Sequence, residues 1–247
     1  MKFILFLILS FSLQANASLH IVVDPGHGGN DGGATFDGLK ESTLVLQISK
    51  KLRDIIAADP DFKVTMTRER NKFVTLKQRA AHAEKIKADI FLSIHANSSS
   101  DRRAQGKEIY FQNQLPPDEE ALFLAKYENK HSFLEEKKAE SSDVNAIIGD
   151  LKRNHRIYMS GKLSEFLAQN WLAPGAKRKR PIRQAPFHVI SNVSMPSVLI
   201  ETGYVTHRKE AVRLQNPAHQ EKIARGIYLG LKEFKEFMDR ETKPHLN

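Results

Sequence analysis

The 247-residue chain contains no cysteine, so no disulfide can brace it and its stability must come from a buried core and from any metal it holds. Beyond its first residues it has no long apolar run: nothing else approaches the roughly 20 residues needed to span a bilayer, so no stable membrane insertion is expected. Internal repeats are absent. Zinc-finger, helix-turn-helix and base-stacking signatures are missing too, so the net charge of +9 is not read as a nucleic-acid footprint.

What is present begins with an export signal. Lys2 supplies a positive start, Phe3 to Leu13 are almost wholly apolar, and Ala15-Asn16-Ala17 has the small-residue pattern of a cleavage site. Residues 1–17 are therefore expected to be removed, leaving a periplasmic or secreted protein that starts near Ser18. A basic exported protein suits acidic partners such as cell-wall peptide carboxylates, wall polyanions or anionic lipid headgroups.

The remainder alternates strand and helix patterns, which predicts one α/β domain over residues 18–240 with a frayed tail at 241–247. Residues 19–23 read as a strand that runs into a glycine-dense loop. Apolar spacing at Leu44, Val45, Ile48, Leu52 and Ile55 predicts a helix from Glu41 to about Ala58. Alternation at Phe62, Val64 and Met66 gives a second strand. Thr75 and Gln78 form a capping box that opens another helix, running to about Lys87. The apolar run 89–94 predicts a central strand covered on both faces, and 107–112 another. A long helix is expected from about Ser142, with Val144, Ile147, Ile148 and Leu151 on one face. Strands are expected near Phe187–Ile190 and over Ser197–Glu201, and Asn216-Pro217 starts a last helix with a stripe at Ile223, Ile227, Leu231, Phe234 and Met238.

Three residues attract attention because strand ends in open α/β sheets carry chemistry. His27 follows the first strand, His95 ends the run Ile90-Phe-Leu-Ser-Ile-His, and Glu41 opens the helix between them. If the two strands are parallel neighbours, these side chains meet and read as a His, Glu, His zinc site with one position open. Taken singly, each has a plainer reading: a locally bonded loop histidine, or a first-turn carboxylate facing the helix dipole. Asp24 is an alternative ligand, favoured here as a turn former or as the partner that orients His27. Glu201 ends an apolar strand, where a carboxylate is costly unless it points into a polar cleft; beside a metal and water it can exchange a proton, and otherwise it faces solvent.

Asp24-Pro-Gly-His-Gly-Gly, Lys40-Glu41, Thr67-Arg68, Arg79, Ser93-Ile-His-Ala-Asn97 and Met195-Pro-Ser-Val-Leu-Ile-Glu-Thr-Gly-Tyr204 stand in an order that resembles the zinc-dependent N-acetylmuramoyl-L-alanine amidases of the amidase 3 family, division type. The resemblance implies a six-stranded, mostly parallel mixed sheet flanked by helices on both faces. It implies Zn2+ on His27, Glu41 and His95, with Glu201 as the catalytic carboxylate. It also implies peptidoglycan as substrate, cut at the amide between the lactyl group of N-acetylmuramic acid and the L-alanine of the stem peptide. Asn97 is expected to contact substrate or orient the site; the basic run Lys177–Arg180 reads most plainly as a solvated loop, and functionally it or Arg183 would attract stem-peptide carboxylates. Another zinc hydrolase of the wall, a peptidase or a deacetylase, and a non-catalytic wall-binding protein on the same scaffold are the alternatives.

One segment breaks the alternation. Residues 118–143 hold eight acids against four lysines, within an expected insertion at about 113–143. In division-type relatives, a segment inserted here carries an inhibitory helix that an activator of LytM-like type displaces. The resemblance makes Glu119, Glu120 or Glu128 candidates to cap the metal; a solvated acidic helix is the plainer reading. No further partner is read from the chain, which is expected to be a monomer.

Overall fold

The computed structural model describes residues 18–112, 118–131, 143–171 and 181–242. Its first half contains β1 (Leu19–Pro25), a small hairpin of β2 (Thr35–Phe36) and β3 (Leu39–Lys40), α1 (Glu41–Ala57), β4 (Phe62–Met66), α2 (Leu76–Lys85) and β5 (Ile90–Asn97). Then come β6 (Glu108–Phe111), α3 (Glu119–Glu128), α4 (Asp143–Trp171), β7 (Ile182–Gln184), α5 (His188–Ser191), β8 (Ser197–Tyr204), α6 (Arg208–Gln215) and α7 (Pro217–Thr242).

Six strands form one sheet in the order β4-β1-β5-β8-β6-β7. The first four are mutually parallel, β6 runs antiparallel to β8, and β7 is parallel to β6. This is the mixed, mostly parallel sheet that the family resemblance implies. Period-two alternation sorts its side chains. Ile21, Val23, Ile90, Leu92, Ile94, Val198 and Ile200 face the layer of α1, α4 and α7. Val22, Phe91, Tyr110 and Leu199 face α2, α3 and α5. Asp24, Ser93, His95, Glu108 and Glu201 share the alternation of this second set, so every polar group of interest rises from one face.

The capping box at Thr75 and Gln78 forms as expected. Against α7, α4 packs its second half closely enough that a Cβ added at Gly230 would lie 2.7 Å from the Leu167 Cα. Two expectations change. Phe187–Ile190 is not a strand: Phe187 caps the short α5, and the extra strand lies earlier, at β7. The Ser191 amide bonds back to the Phe187 carbonyl at 3.0 Å, and this turn buries the adjacent Val189 and Ile190 together, which an alternating strand cannot do. The stripe Ile147, Ile148 and Leu151 does lie on α4, but it is exposed rather than packed. The last helix also continues through 241 and 242, two residues into the expected tail. The expected signal at 1–17 and the basic run 177–180 lie outside the described residues, as does 132–142 of the acidic segment. Among the described residues no helix is long and apolar enough to cross a membrane.

Candidate metal centre

The loop after β1 is braced by two buried arginines. Arg68 donates to the carbonyls of Pro25 (2.9 Å), Gly26 (2.6 Å) and Ser42 (2.9 Å). Arg79 donates to Pro25 (2.7 Å) and His27 (2.7 Å), and its Nη1 lies 2.6 Å from Asp24 Oδ1. Asp24 also accepts from Thr67 (2.5 Å) and Ser93 (2.9 Å). Burial pushes this carboxyl up, but Arg79 and the two hydroxyls outweigh it and hold it below the usual range. Burial lowers Arg68 to about 10, with the neighbouring Arg79 adding to the fall.

Backbone geometry places His27 where the strand alone would not. Its φ is +57°, a left-handed conformation that few residues other than glycine adopt, and the Arg79 bond to its carbonyl fixes it there. Its Nδ1 lies 2.9 Å from Asp31 Oδ2, so Asp31, not Asp24, orients the ring. Asp24 acts one step removed, through Arg79. Nε2 of His27 points inward, 3.2 Å from Glu41 Oε1 and 3.4 Å from Glu128 Oε2.

His95 arrives from β5, the parallel neighbour of β1, and its Nδ1 stands 3.1 Å from Glu41 Oε1 and 3.4 Å from Glu128 Oε2. The two imidazoles meet edge to face at 4.9 Å. Glu41, the first residue of α1, accepts from the Ala96 amide (3.0 Å) and the Ala34 amide (2.9 Å). Such close approach requires glycine. A Cβ at Gly26 would fall 2.4 Å from the His95 ring, and one at Gly33, where φ is +64°, 2.6 Å from the His27 ring.

One ligand atom from each of His27, Glu41, His95 and Glu128 lies within 4.8 Å of the others. Two imidazoles and two carboxylates are a zinc-type donor set, and His27 Nε2 is buried without a hydrogen-bond partner. Asp31 on the far nitrogen of His27 is the kind of support that metal-binding histidines carry. These residues therefore fit a divalent ion. Of the three acids expected as candidates to cap the metal, Glu128 at the end of α3 lies within the cluster, whereas Glu119 and Glu120 sit exposed at its other end.

Glu201 lies in the middle of β8, not at its end, directly opposite His95 on one side and Glu108 on the other. It is 1% exposed, and neither of its oxygens has a hydrogen-bond partner. Burial pushes its carboxyl well up, reinforced by Glu41, Glu128 and Glu108. The same burial raises Glu128, whereas Glu41 is held far down, against its burial, by the two imidazoles.

Asn97 does not open onto free space: its amide donates to Glu108 Oε2 at 2.8 Å. Tyr204 reaches the same oxygen at 3.1 Å, because a register shift in the β5–β8 pairing, beside Gly203 at φ +147°, lets it join the face of Glu201. Arg183 binds the other oxygen of Glu108 at 2.7 Å. Asp31 and Glu108 carried no expectation from sequence. Asp31 was signalled only by its place four residues after His27, and Glu108 is recognisable only once the pairing of β6 with β8 is known.

Residues 21–233 match the Amidase_3 family, N-acetylmuramoyl-L-alanine amidase. The chain belongs to that family. It is 32% identical over 225 residues to the amidase AmiA of Escherichia coli strain K12, a match covering 90% of this chain and 78% of that protein. To the amidase AmiC of Escherichia coli O6:H1 it is 30% identical, over 90% of this chain and 54% of the relative. The chain thus spans about half the length of AmiC, and also of the probable amidase AmiB of Haemophilus influenzae. Among solved structures, the catalytic domain of the amidase CwlV from Bacillus (Paenibacillus) polymyxa var. colistinus superposes with a TM-score of 0.67 at 29% identity, covering 88% of this chain and 98% of that one. As a member of the Amidase_3 family, the chain shares the α/β architecture of these catalytic domains.

Proposed function

We propose that this protein is an exported, zinc-dependent peptidoglycan hydrolase. It cleaves the amide between the lactyl group of N-acetylmuramic acid and L-alanine. The observation that carries the reading is Glu201: a buried carboxylate with no hydrogen-bond partner, in register with a ligand-type histidine, has no structural use that repays its desolvation.

His27, Glu41 and His95 would hold the ion. When bound, zinc supplies a Lewis acid that polarises an amide carbonyl and acidifies water. Glu201 takes the proton as water adds to the lactyl carbonyl and returns it to the L-alanine nitrogen as the C–N bond breaks. Asp31 keeps the His27 ring in the tautomer that leaves Nε2 unprotonated, and the Arg68–Arg79 brace fixes the loop on which that ring stands.

Digestion of purified peptidoglycan, with sequencing of the released amino termini, tests the reaction. New L-alanine termini that disappear on chelation and return with zinc are expected. Termini elsewhere in the stem, or released acetate, would favour a peptidase or a deacetylase; no product from zinc-loaded protein would favour a wall-binding scaffold.

In this reading α3 is inhibitory, with Glu128 filling the position that substrate needs until an activator of LytM-like type displaces the helix. Glu128→Ala is expected to raise sacculus hydrolysis about tenfold or more, the equivalent of one charge-assisted contact of about 1.5–3 kcal/mol. Dye release from labelled sacculi measures it; unchanged or lower activity in a folded variant removes the inhibitory role.

A further inference from the structure

Arg183 is a buried cation for which the chemistry above has no use, and its guanidinium has two differently occupied edges. Nη1 is turned inward, 2.7 Å from Glu108 Oε1 and 3.1 Å from the Tyr110 hydroxyl. Glu108 is fully buried and is held in turn by Asn97 and Tyr204, so this edge is fixed from inside the fold. The outer edge presents Nε and Nη2 to the two oxygens of Asp118, with the Nε contact at 3.3 Å. Glu120 Oε2 adds a contact 3.1 Å from Nη1. The arginine side chain is 8% exposed, whereas those of Asp118 and Glu120 are 59% and 58% exposed. A largely buried guanidinium is thus covered by exposed carboxylates at the start of α3. The far end of that helix delivers Glu128 to the metal centre.

We propose that the outer edge of Arg183 is a seat for a carboxylate of the stem peptide, and that Asp118 occupies it as a mimic of that carboxylate. The proposal rests on the amidase reading given above. Planar, two-pronged pairing selects carboxylate over neutral groups, and the distance suits a peptide. Arg183 pairs with Tyr110 on β6, but its guanidinium reaches back to Glu108, the residue opposite Glu201, so the seat lies on the order of 10 Å, about two strand spacings, from Glu201. An extended chain advances about 3.3 Å per residue, which places a carboxylate two or three residues beyond the cleaved amide at the seat. Asp118 is also the cap of α3, accepting from the Ala121 amide at 2.8 Å. A peptide carboxylate that takes Arg183 therefore removes a partner from the residue that starts the helix. Substrate and α3 compete for one edge, and whatever lifts the helix raises substrate affinity by the same factor that substrate favours its lifting.

Binding of two ligands to zinc-loaded protein carrying Glu201→Gln and Glu128→Ala, so that α3 no longer fills the metal position, tests this when followed by calorimetry. One is an N-acetylmuramoyl tripeptide with free carboxylates on its second and third residues; the other has both amidated. Adding Asp118→Asn with Glu120→Gln is expected to tighten binding of the acid about tenfold or more and to leave the amide unchanged. Adding Arg183→Lys, which keeps a charge beside Glu108, is expected to erase the preference, with thermal unfolding as the check on folding. Equal affinity for acid and amide in the Asp118/Glu120 variant, a preference that survives Arg183→Lys, or no binding of either ligand overturns the proposal. Any of these can occur while the wild-type protein still releases L-alanine termini, so failure here is distinct from failure of the amidase reading.

Discussion

Replacing Glu201 by Gln is expected to lower peptidoglycan hydrolysis about a thousandfold, within the range of general acid–base contributions, while the zinc content stays at one ion per chain. The amide is nearly the same size as the carboxylate, so packing against the neighbouring strands is kept. It cannot accept the proton. The buried oxygens it replaces have no hydrogen-bond partner, and the neutral amide cannot take on the charge that burial and the neighbouring Glu41, Glu128 and Glu108 oppose. The variant should therefore fold at least as well as the parent. Dye release from labelled sacculi, paired with metal analysis, measures both halves; activity within tenfold of the parent would remove Glu201 from proton transfer.

The second large effect concerns stability. Arg79→Met strips the cationic partner from Asp24, whose side chain is 1% exposed, and leaves the His27 carbonyl without its arginine donor, while Arg68 still holds the Pro25 carbonyl. Breaking one side of a buried ion pair costs about 3–5 kcal/mol, and a methionine fills the volume without satisfying any of these groups. Urea unfolding at neutral pH should show that loss, and a loss under about 1 kcal/mol would contradict the account. The pH dependence has a definite sign. Asp24 has a depressed folded value, so its contribution is full above the unfolded value of about 3.9 and is lost as pH falls below it. The gap between parent and variant should therefore narrow in acid.

Much of this site was legible in the sequence because strand ends are. An apolar run broken by Pro25 and Gly26, and another carrying His95, locate two imidazoles on one rim as soon as the strands are taken as parallel neighbours. The Thr75–Gln78 capping box and the stripe of α7 are local signals and appear where expected. What escaped depends on contacts between distant segments. Phe187–Ile190 has strand composition, but a four-residue apolar run does not separate strand from helix, and burial against Ser197 and Arg156 decides it. Glu108 looks like any charged residue at the start of an edge strand until pairing sets it opposite Glu201. Ile147 and Leu151 have helical spacing, which reports a helix but not whether anything covers it.

Pairing of β5 with β8 has a consequence for how this molecule can change over time. Glu201 owes its position to hydrogen-bond register, and sliding β8 by one residue would turn it toward the opposite layer. The proposed proton carrier is thus written into the least alterable part of the architecture. Everything that governs access to it hangs on connections beyond the strand tips, where residues can be added, removed or exchanged without moving the reactive atoms.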